Sequence, residues 1–431
     1  MKTNHHFIHY LSFVMALILI SCTTQNEPLP EQAQNRSVKR GVSYSFQFPT
    51  EDAALLSPGV SWFYNWGPNI SDALNTVAIT NKLDFFPMAW NGNFNEAQIR
   101  AFKLTHPNCE YILAYNEPNL TDQANMTPKQ AAAIWPQLKA LATELNMKII
   151  SPAMNYGTLA GYGDPIVWLD EFFTLIPLSD IDGIAVHCYM GNASSMVWFL
   201  NRFKKYDKPI WLTEFCAWEN FIKSSIDQIK YMSDAVNYLE CDNDVVRYAW
   251  FIPRASGSVE SYPYMQLLTK TAPYQLSAAG KVFVNMSTQD KSIYYPELQQ
   301  IPAEHYSSLN MAETVASGTL SNSVRLRPTT DTEGELEVFD FLKSYWLEYQ
   351  VNITNEYDHV ITFRYASAAE SAMEIYIDGT ISATCNFPST TSESNWSTLS
   401  TPLILAQGKH TIRLKISSGS IVLNWISINK K

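Results

Sequence analysis

Positive charge is in short supply: 30 Lys and Arg stand against 41 Asp and Glu, a formal net charge of -11 at pH 7. A surface so biased repels a phosphate backbone, which argues against nucleic acid as a partner. The six cysteines, Cys22, Cys109, Cys188, Cys216, Cys241 and Cys385, contain no Cys-x-x-Cys spacing, so a thiolate zinc site is not indicated. No glycine-rich dinucleotide fingerprint follows the first apolar run of the main body, which disfavours a doubly wound nucleotide-binding sheet. No low-complexity tract stands out. The apolar run from Phe7 to Ile20 is too short to cross a bilayer as a stable helix.

That run suits a signal peptide instead. Lys2 precedes it, and Leu19-Ile20-Ser21-Cys22 resembles the lipobox of bacterial lipoproteins, whose cysteine becomes lipidated and N-terminal. Residues 1–22 are therefore expected to be a lipoprotein signal peptide with Cys22 as the lipidation site, and the polar stretch 23–38 a tether. The expected location is the cell envelope, anchored by lipid to the outer membrane. With Cys22 lipidated, five cysteines remain, so at least one thiol stays unpaired within the chain; Cys188 and Cys216 either pair or stay as buried thiols. Aromatic residues make up 13% of the chain, including 12 Trp and 23 Tyr, which suits either sugar stacking or ordinary cores.

From Arg40 to Pro253 short apolar runs alternate with loops and helical patterns. The runs are 41–46, 61–66, 83–90, 110–117, 148–154, 182–189, 209–215 and 245–252. Most are continuously apolar, as strands buried on both faces should be. Thr127-Pro128 opens one helix as N-cap and first residue, Pro136 threatens to kink it, and further helices are expected over 225–239 and 271–284. Eight strands with helices between them read as a (β/α)8 barrel over 39–288. Residues 289–300 read as a linker. From 301 to 431 the chain changes to short alternating runs with turn signals such as Asp378-Gly379, the pattern of an antiparallel β-sandwich.

Two of the barrel runs end in a carboxylate. The fourth closes on Asn116-Glu117-Pro118, and the seventh carries Thr213-Glu214-Phe215. A charge at the end of an apolar strand must face a cleft, because unpaired in the interior it costs several kcal/mol. Strands four and seven lie across a barrel from each other, so both glutamates share one rim. Paired carboxylates across a cleft are what glycosidic cleavage needs. Asp170 and Asp182 are weaker candidates that read as caps or surface groups.

This arrangement resembles the clan A glycoside hydrolases. The motifs Arg40-Gly41-Val42, Trp62 to Gly67, Phe86 to Trp90, Tyr115 to Asn119, Ser151-Pro152-Ala153, His187-Cys188-Tyr189, Pro209 to Phe215 and Tyr248 to Phe251 resemble glycoside hydrolase family 128, one motif per strand and in order. The resemblance implies a retaining endo-β-1,3-glucanase with Glu117 as acid/base, its pKa raised, and Glu214 as nucleophile. It implies substrate contacts from Asn116, Asn65, Trp66, Trp90, His187, Tyr189 and Trp250, with His187 and Tyr189 orienting Glu214. Cys188 departs from the tryptophan more common there.

Residues 301–431 resemble a family 6 carbohydrate-binding module, through Ile301 to Tyr306, Trp346 to Tyr349, Asn395-Trp396, Gly408 to Leu414 and Leu423 to Ile426. The resemblance implies that Trp396 and Asn424 grip sugar, that a second aromatic platform falls near Phe339–Phe341, and that Glu304 holds a structural calcium ion. No catalytic cofactor is expected. The expected partners are a β-glucan polysaccharide and the membrane, for a chain acting as a monomer. The alternatives are another clan A β-glycan specificity, or a non-catalytic surface glycan-binding lipoprotein.

Overall fold

The computed structural model describes residues 35–431. Cys22 and most of the expected tether lie outside the described residues.

Eight parallel strands alternate with eight helices over residues 40–285. The strands are β1 (Arg40–Ser43), β2 (Trp62–Tyr64), β3 (Asp84–Phe85), β4 (Tyr111–Leu113), β5 (Lys148–Ile150), β6 (Ile184–Cys188), β7 (Ile210–Phe215) and β8 (Val245–Trp250). The helices are α1 (Pro49–Leu56), α2 (Asp72–Thr80), α3 (Glu96–Thr105), α4 (Pro128–Glu144), α5 (Pro165–Leu175), α6 (Ala193–Asn201), α7 (Ser225–Cys241) and α8 (Ala278–Asn285). Every residue of β6 and β7 is buried, which is why those segments read as unbroken apolar runs.

Helix α4 starts where the sequence says it should. Thr127 and Gln130 form a reciprocal capping box, and Pro128 fills the first turn, where its missing N–H costs nothing. Ala131, Trp135, Leu138 and Leu141 make its buried stripe, while the helix runs through Pro136 on its exposed side. The last helix begins at Ala278, not in the 271–284 span as a whole. Ser277 caps it, and the preceding residues form turns around Pro273.

The strand order is β3-β2-β1-β8-β7-β6, with β4 and β5 paired separately. Single parallel bridges join Met88 to Leu113 and Ile150 to Gly183. The result is an α/β core whose strands share a packed cluster of Trp62, Tyr64, Phe86, Met88, Leu113, Ile150, Ala185, Trp211 and Ala249. Strand β1 contributes Gly41 there: a Cβ on it would lie 2.3 Å from the Trp62 ring, so glycine makes room for the indole.

The remaining strands form two mainly antiparallel β-sheets. One contains β10 (Gln300–Pro302), β12 (Arg325–Pro328), β13 (Leu336–Leu342), β15 (His359–Ala366), β18 (Ser397–Leu403) and β20 (Ser420–Lys430). The other contains β9 (Tyr295–Pro296), β11 (Ser308–Leu309), β14 (Trp346–Ile353), β16 (Ser371–Ile377), β17 (Thr380–Phe387) and β19 (Gly408–Ser418). Segment 289–300 is therefore not a free linker. It supplies β9, which pairs in parallel with β14, and Glu297 accepts hydrogen bonds from Thr354, Asn355 and Tyr357.

The sheets pack directly on α7 and α8. Asp234 binds Arg325 at 2.8 Å, Tyr306 donates to Asn237 at 2.6 Å, and Asn237 donates to the Val324 carbonyl. Arg40 ties the first strand to this junction. Its guanidinium is fully buried and bonds Glu240, Tyr248 and the carbonyls of Phe283, Met286 and Ser287. Glu240→Ala strips that buried charge of its carboxylate and is expected to cost about 3–5 kcal/mol of unfolding free energy, read from urea denaturation. A loss under about 1 kcal/mol would show that the pair is not structural.

Candidate active site

Glu117 follows β4 by four residues and Glu214 lies within β7, so both come from the carboxyl ends of parallel strands. The turn that presents Glu117 is forced. Its φ is +44°, in the left-handed region that a glutamate normally avoids. Hydrogen bonds from Asn116 N to Trp90 O and from Glu117 N to Ala153 O hold it between the neighbouring segments. Trp66, two residues beyond β2, is turned in the same way, with φ +60°.

The two carboxylates converge on one histidine. Nδ1 of His187 lies 2.8 Å from Glu117 Oε1 and 3.5 Å from Glu214 Oε2. One ligand atom from each of the three residues lies within 4.8 Å of the others. His187 is the β6 partner of Glu214 in the β6–β7 register, so the sheet itself sets this meeting. Glu214 Oε1 accepts from the Tyr64 hydroxyl and the Trp66 indole N–H, each at 2.8 Å, and Oε2 accepts from the Tyr189 hydroxyl. Glu117 accepts from Asn155 Nδ2 at 3.2 Å as well as from His187.

The electrostatics correct the expectation for Glu117. Burial pushes its carboxyl up, but the His187 charge and the hydrogen bonds from His187 and Asn155 outweigh burial and leave it below the ordinary value. His187 moves the other way. Burial lowers it, yet the charges of Glu214 and Glu117 and the bond to Glu117 raise it overall. Burial and the Glu214 charge push the Tyr64 and Tyr189 phenols well above their usual value, so both remain donors. The two shifts of Glu117 and His187 run in opposite directions across one hydrogen bond, so each group favours the charged form of the other.

Comparison with known proteins gives the family. Residues 41–283 match the family described as glycosyl hydrolase catalytic core. A subgroup II family 128 endo-β-1,3-glucanase from Pseudomonas viridiflava is 40% identical, covers 58% of this chain and 98% of its own, and superposes with a TM-score of 0.53. The chain belongs to glycoside hydrolase family 128. A second subgroup II endo-β-1,3-glucanase, from Sorangium cellulosum, is 32% identical, covers 57% of this chain and 97% of its own, and gives a TM-score of 0.51. Alkali-sensitive linkage protein 1 of Schizosaccharomyces pombe is 26% identical over 230 residues, half of this chain; the chain spans only 39% of that relative's length. Residues 312–430 match the family 6 carbohydrate-binding module.

Not every expected residue of this family 128 hydrolase reaches the cleft. Trp250 does not: it is fully buried, and its indole N–H bonds the Met265 carbonyl at 2.7 Å. Asn65 is spent on its own turn, accepting from Gly67 N and donating to Asn69 O. His187 lies closer to Glu117 than to Glu214, so it serves the first carboxylate as much as the second. Trp66 bonds Glu214, and Trp90, half-buried, packs on the cluster around Trp62. Asn116 sits beside Glu117 with its amide oxygen buried and without a hydrogen-bond partner, while its amide nitrogen donates to Gln123 at 3.2 Å.

Two residues were missed. Tyr64 precedes Trp66 by two positions, and strand alternation puts both on the inner face. Asn155 gives no sequence signal beyond its place two residues after the Ser151-Pro152-Ala153 motif. All five described cysteines are free, Cys188 and Cys216 among them. A cavity of about 510 Å3 lies near the amino ends of β3 and β4, away from the carboxylates, and is lined by Asp84, Cys109, Tyr111 and Arg247. Cavity size does not locate the chemistry here; converging titratable groups do.

In the sandwich, Trp396 is half-buried and Asn424 is only 1% exposed, its amide nitrogen already taken by Asp331 and by the Glu333 carbonyl. Phe339 and Phe341 are buried, so neither forms the second platform. Glu304 is 4% exposed with Oε2 unpartnered, and burial lifts its carboxyl to about 8. That orphaned oxygen fits one ligand of a hard cation, although no three-residue acidic or histidine cluster surrounds it among the described residues.

The shifts at the centre have a consequence for stability. His187, raised above its unfolded value of about 6.5, contributes stability that is complete below that pH and lost as pH rises through its folded value. Glu117, lowered from about 4.5, contributes above that pH and loses the contribution as pH falls through its folded value. The stability difference between wild type and His187→Gln is therefore expected to peak in the mildly acidic range and shrink above neutrality. A difference that stays flat from pH 5 to pH 9 in urea titrations would contradict the charged pairing.

Proposed function

We propose that this glycoside hydrolase cleaves β-1,3-glucan internally and with retention, and the observation that carries the reading is the Glu117–His187–Glu214 cluster within 4.8 Å. Carboxylates this close fit the short gap of retaining enzymes better than the wider gap that admits a water, so one carboxylate itself attacks. Glu214, oriented by Tyr64, Trp66 and Tyr189, bonds to the anomeric carbon as the glycosidic C–O bond breaks. Glu117, which shares a hydrogen bond with His187, gives a proton to the leaving oxygen. In the second half Glu117 removes a proton from water, which displaces Glu214 and regenerates the β-anomer. The two subgroup II relatives, 40% and 32% identical, are endo-β-1,3-glucanases and support the substrate.

The finer architecture belongs to the same reading. The bridges Met88–Leu113 and Ile150–Gly183 support closure of the α/β core into a (β/α)8 barrel over 39–288, followed by a sandwich over 301–431. An experimental structure with β3 and β4 beyond hydrogen-bonding distance would refute closure.

The expected product of incubation with linear β-1,3-glucan is short β-1,3-linked oligosaccharides, with the β-anomer formed first by proton NMR. Glu214→Gln should abolish release, and Glu117→Gln should slow it by about 10^2–10^4-fold. Cleavage unchanged in Glu214→Gln would overturn the assignment, and cleavage confined to another β-glycan would change the substrate. Calcium binding at Glu304 predicts a melting temperature that rises with added calcium in wild type and not in Glu304→Gln. Lipid attachment at Cys22 predicts fatty-acid labelling of the cellular protein that Cys22→Ala removes.

A further inference from the structure

The loop between β7 and α7, residues 216–224, starts two residues after Glu214 and ends where α7 meets the sandwich. It carries two large rings into solvent: Trp218 is 43% exposed and Phe221 is 52% exposed. Single exposed aromatics are ordinary. Trp218 belongs to a connected series that begins in the catalytic centre. Trp218 N donates to the Tyr189 carbonyl at 3.1 Å, and its ring meets the Tyr189 ring edge-on at 5.9 Å. The hydroxyl of that same tyrosine bonds Glu214. Trp218 also stacks on Phe251 with the ring planes 27° apart.

The loop is held firmly. Gln228, fully buried, bonds both the N–H and the carbonyl of Ala217 and reaches the Pro263 carbonyl. Phe221 lies against Gly191, where a Cβ would come within 2.3 Å of the ring. The two exposed rings are thus displayed from a fixed support.

Beyond Phe221 the surface drops into a cavity of about 210 Å3 between the two bodies, with Lys230, Asp234 and the sandwich residue Arg325 among its polar lining. At the start of α7, Ile226 packs on the sandwich cluster of Phe339, Ala366 and Val422, and Trp396 packs on the same cluster. Apolar ring faces beside fixed charged groups match a pyranose, which offers apolar C–H faces and a rim of hydroxyls.

We propose that Trp218, Phe221 and the junction leading to Trp396 form one continuous strip that binds the outer sugars of the glucan chain being cut between Glu117 and Glu214. This rests on the β-1,3-glucanase reading. The sandwich then acts as the far end of the catalytic cleft, not as an independently swinging binding unit. Its direct packing on α7 gives the strip a constant length and direction. A long chain gains contacts along the strip that a trisaccharide cannot reach.

The test uses the full chain. In the inactive Glu214→Gln background, adding Trp218→Ala and Phe221→Ala should weaken calorimetric affinity for soluble β-1,3-glucan polymer roughly tenfold. Trp218→Tyr with Phe221→Tyr should restore most of it. In the active enzyme, the same alanine pair should lower the ratio of kcat/KM on polymer to kcat/KM on a β-1,3-linked trisaccharide, chiefly through KM on polymer. Unchanged polymer affinity would overturn the strip. So would equal losses on polymer and trisaccharide, which would place both rings in the cleft alone. A wild type that neither binds nor cuts β-1,3-glucan would instead sink the underlying function, and the strip with it.

Discussion

Two carboxylates held within 4.8 Å of each other in a site that is nearly dry repel, and everything at the carboxyl ends of the strands answers that repulsion. At that distance the cost is about 3–4 kcal/mol with an effective dielectric near 20. The protein offsets it with His187, whose ring nitrogen lies within reach of both, and with donors that surround Glu214. The two phenols and the indole cannot deliver a formal charge. They supply oriented dipoles that are in place before substrate arrives, which is how a preorganised site lowers a barrier. The forced backbone at Glu117 and Trp66 follows from the same demand, since both side chains must point inward from strand ends that would otherwise carry them past the centre.

The opposite end of the molecule solves a different problem. Arg40 is a full charge without water, and it persists because a carboxylate, a phenol and several backbone carbonyls surround it. Those carbonyls belong to the end of α8 and the residues just after it, where the chain leaves the α/β core. The first strand, the last helix and the exit toward the sandwich are therefore fixed by one side chain. The segment that follows pairs into the second sheet at once, leaving little slack between the two bodies. A rigid junction gives the exposed rings of the β7–α7 loop a definite partner surface, which a flexible linker could not.

The chemistry of the site was legible because it depends on strand ends. Glu117 and Glu214 stood out as carboxylates closing apolar runs, and the β6 motif His187-Cys188-Tyr189 delivered both partners, since alternate residues of a strand share a face. Tyr64 was within reach of the same logic two residues from Trp66. Trp250 was misjudged for a clear reason. A tryptophan at a strand end can face inward to the cleft or outward to the helices, and only the packing of α7 and α8 decides which. Asn65 turned out to bond its own turn as well, at Gly67 N and Asn69 O, which its place in the sequence did not reveal. Segment 289–300 looked like a linker by composition, but pairing with β14 and the bonds around Glu297 come from strands fifty or more residues later.

The sequence by itself determined the alternation of strands and helices, the change to paired β-strands after residue 301, and the identity of the two carboxylates. These are local properties, set by periodicity, caps and the cost of burying a charge. Tertiary structure alone decided the electrostatics at the centre. Whether Glu117 or His187 holds the proton depends on the distance between residues seventy positions apart, on how much water remains, and on which donors Glu214 has already claimed. It also decided the geometry of the module junction, because that surface is assembled from α7, α8 and β12, and no stretch of the chain contains it.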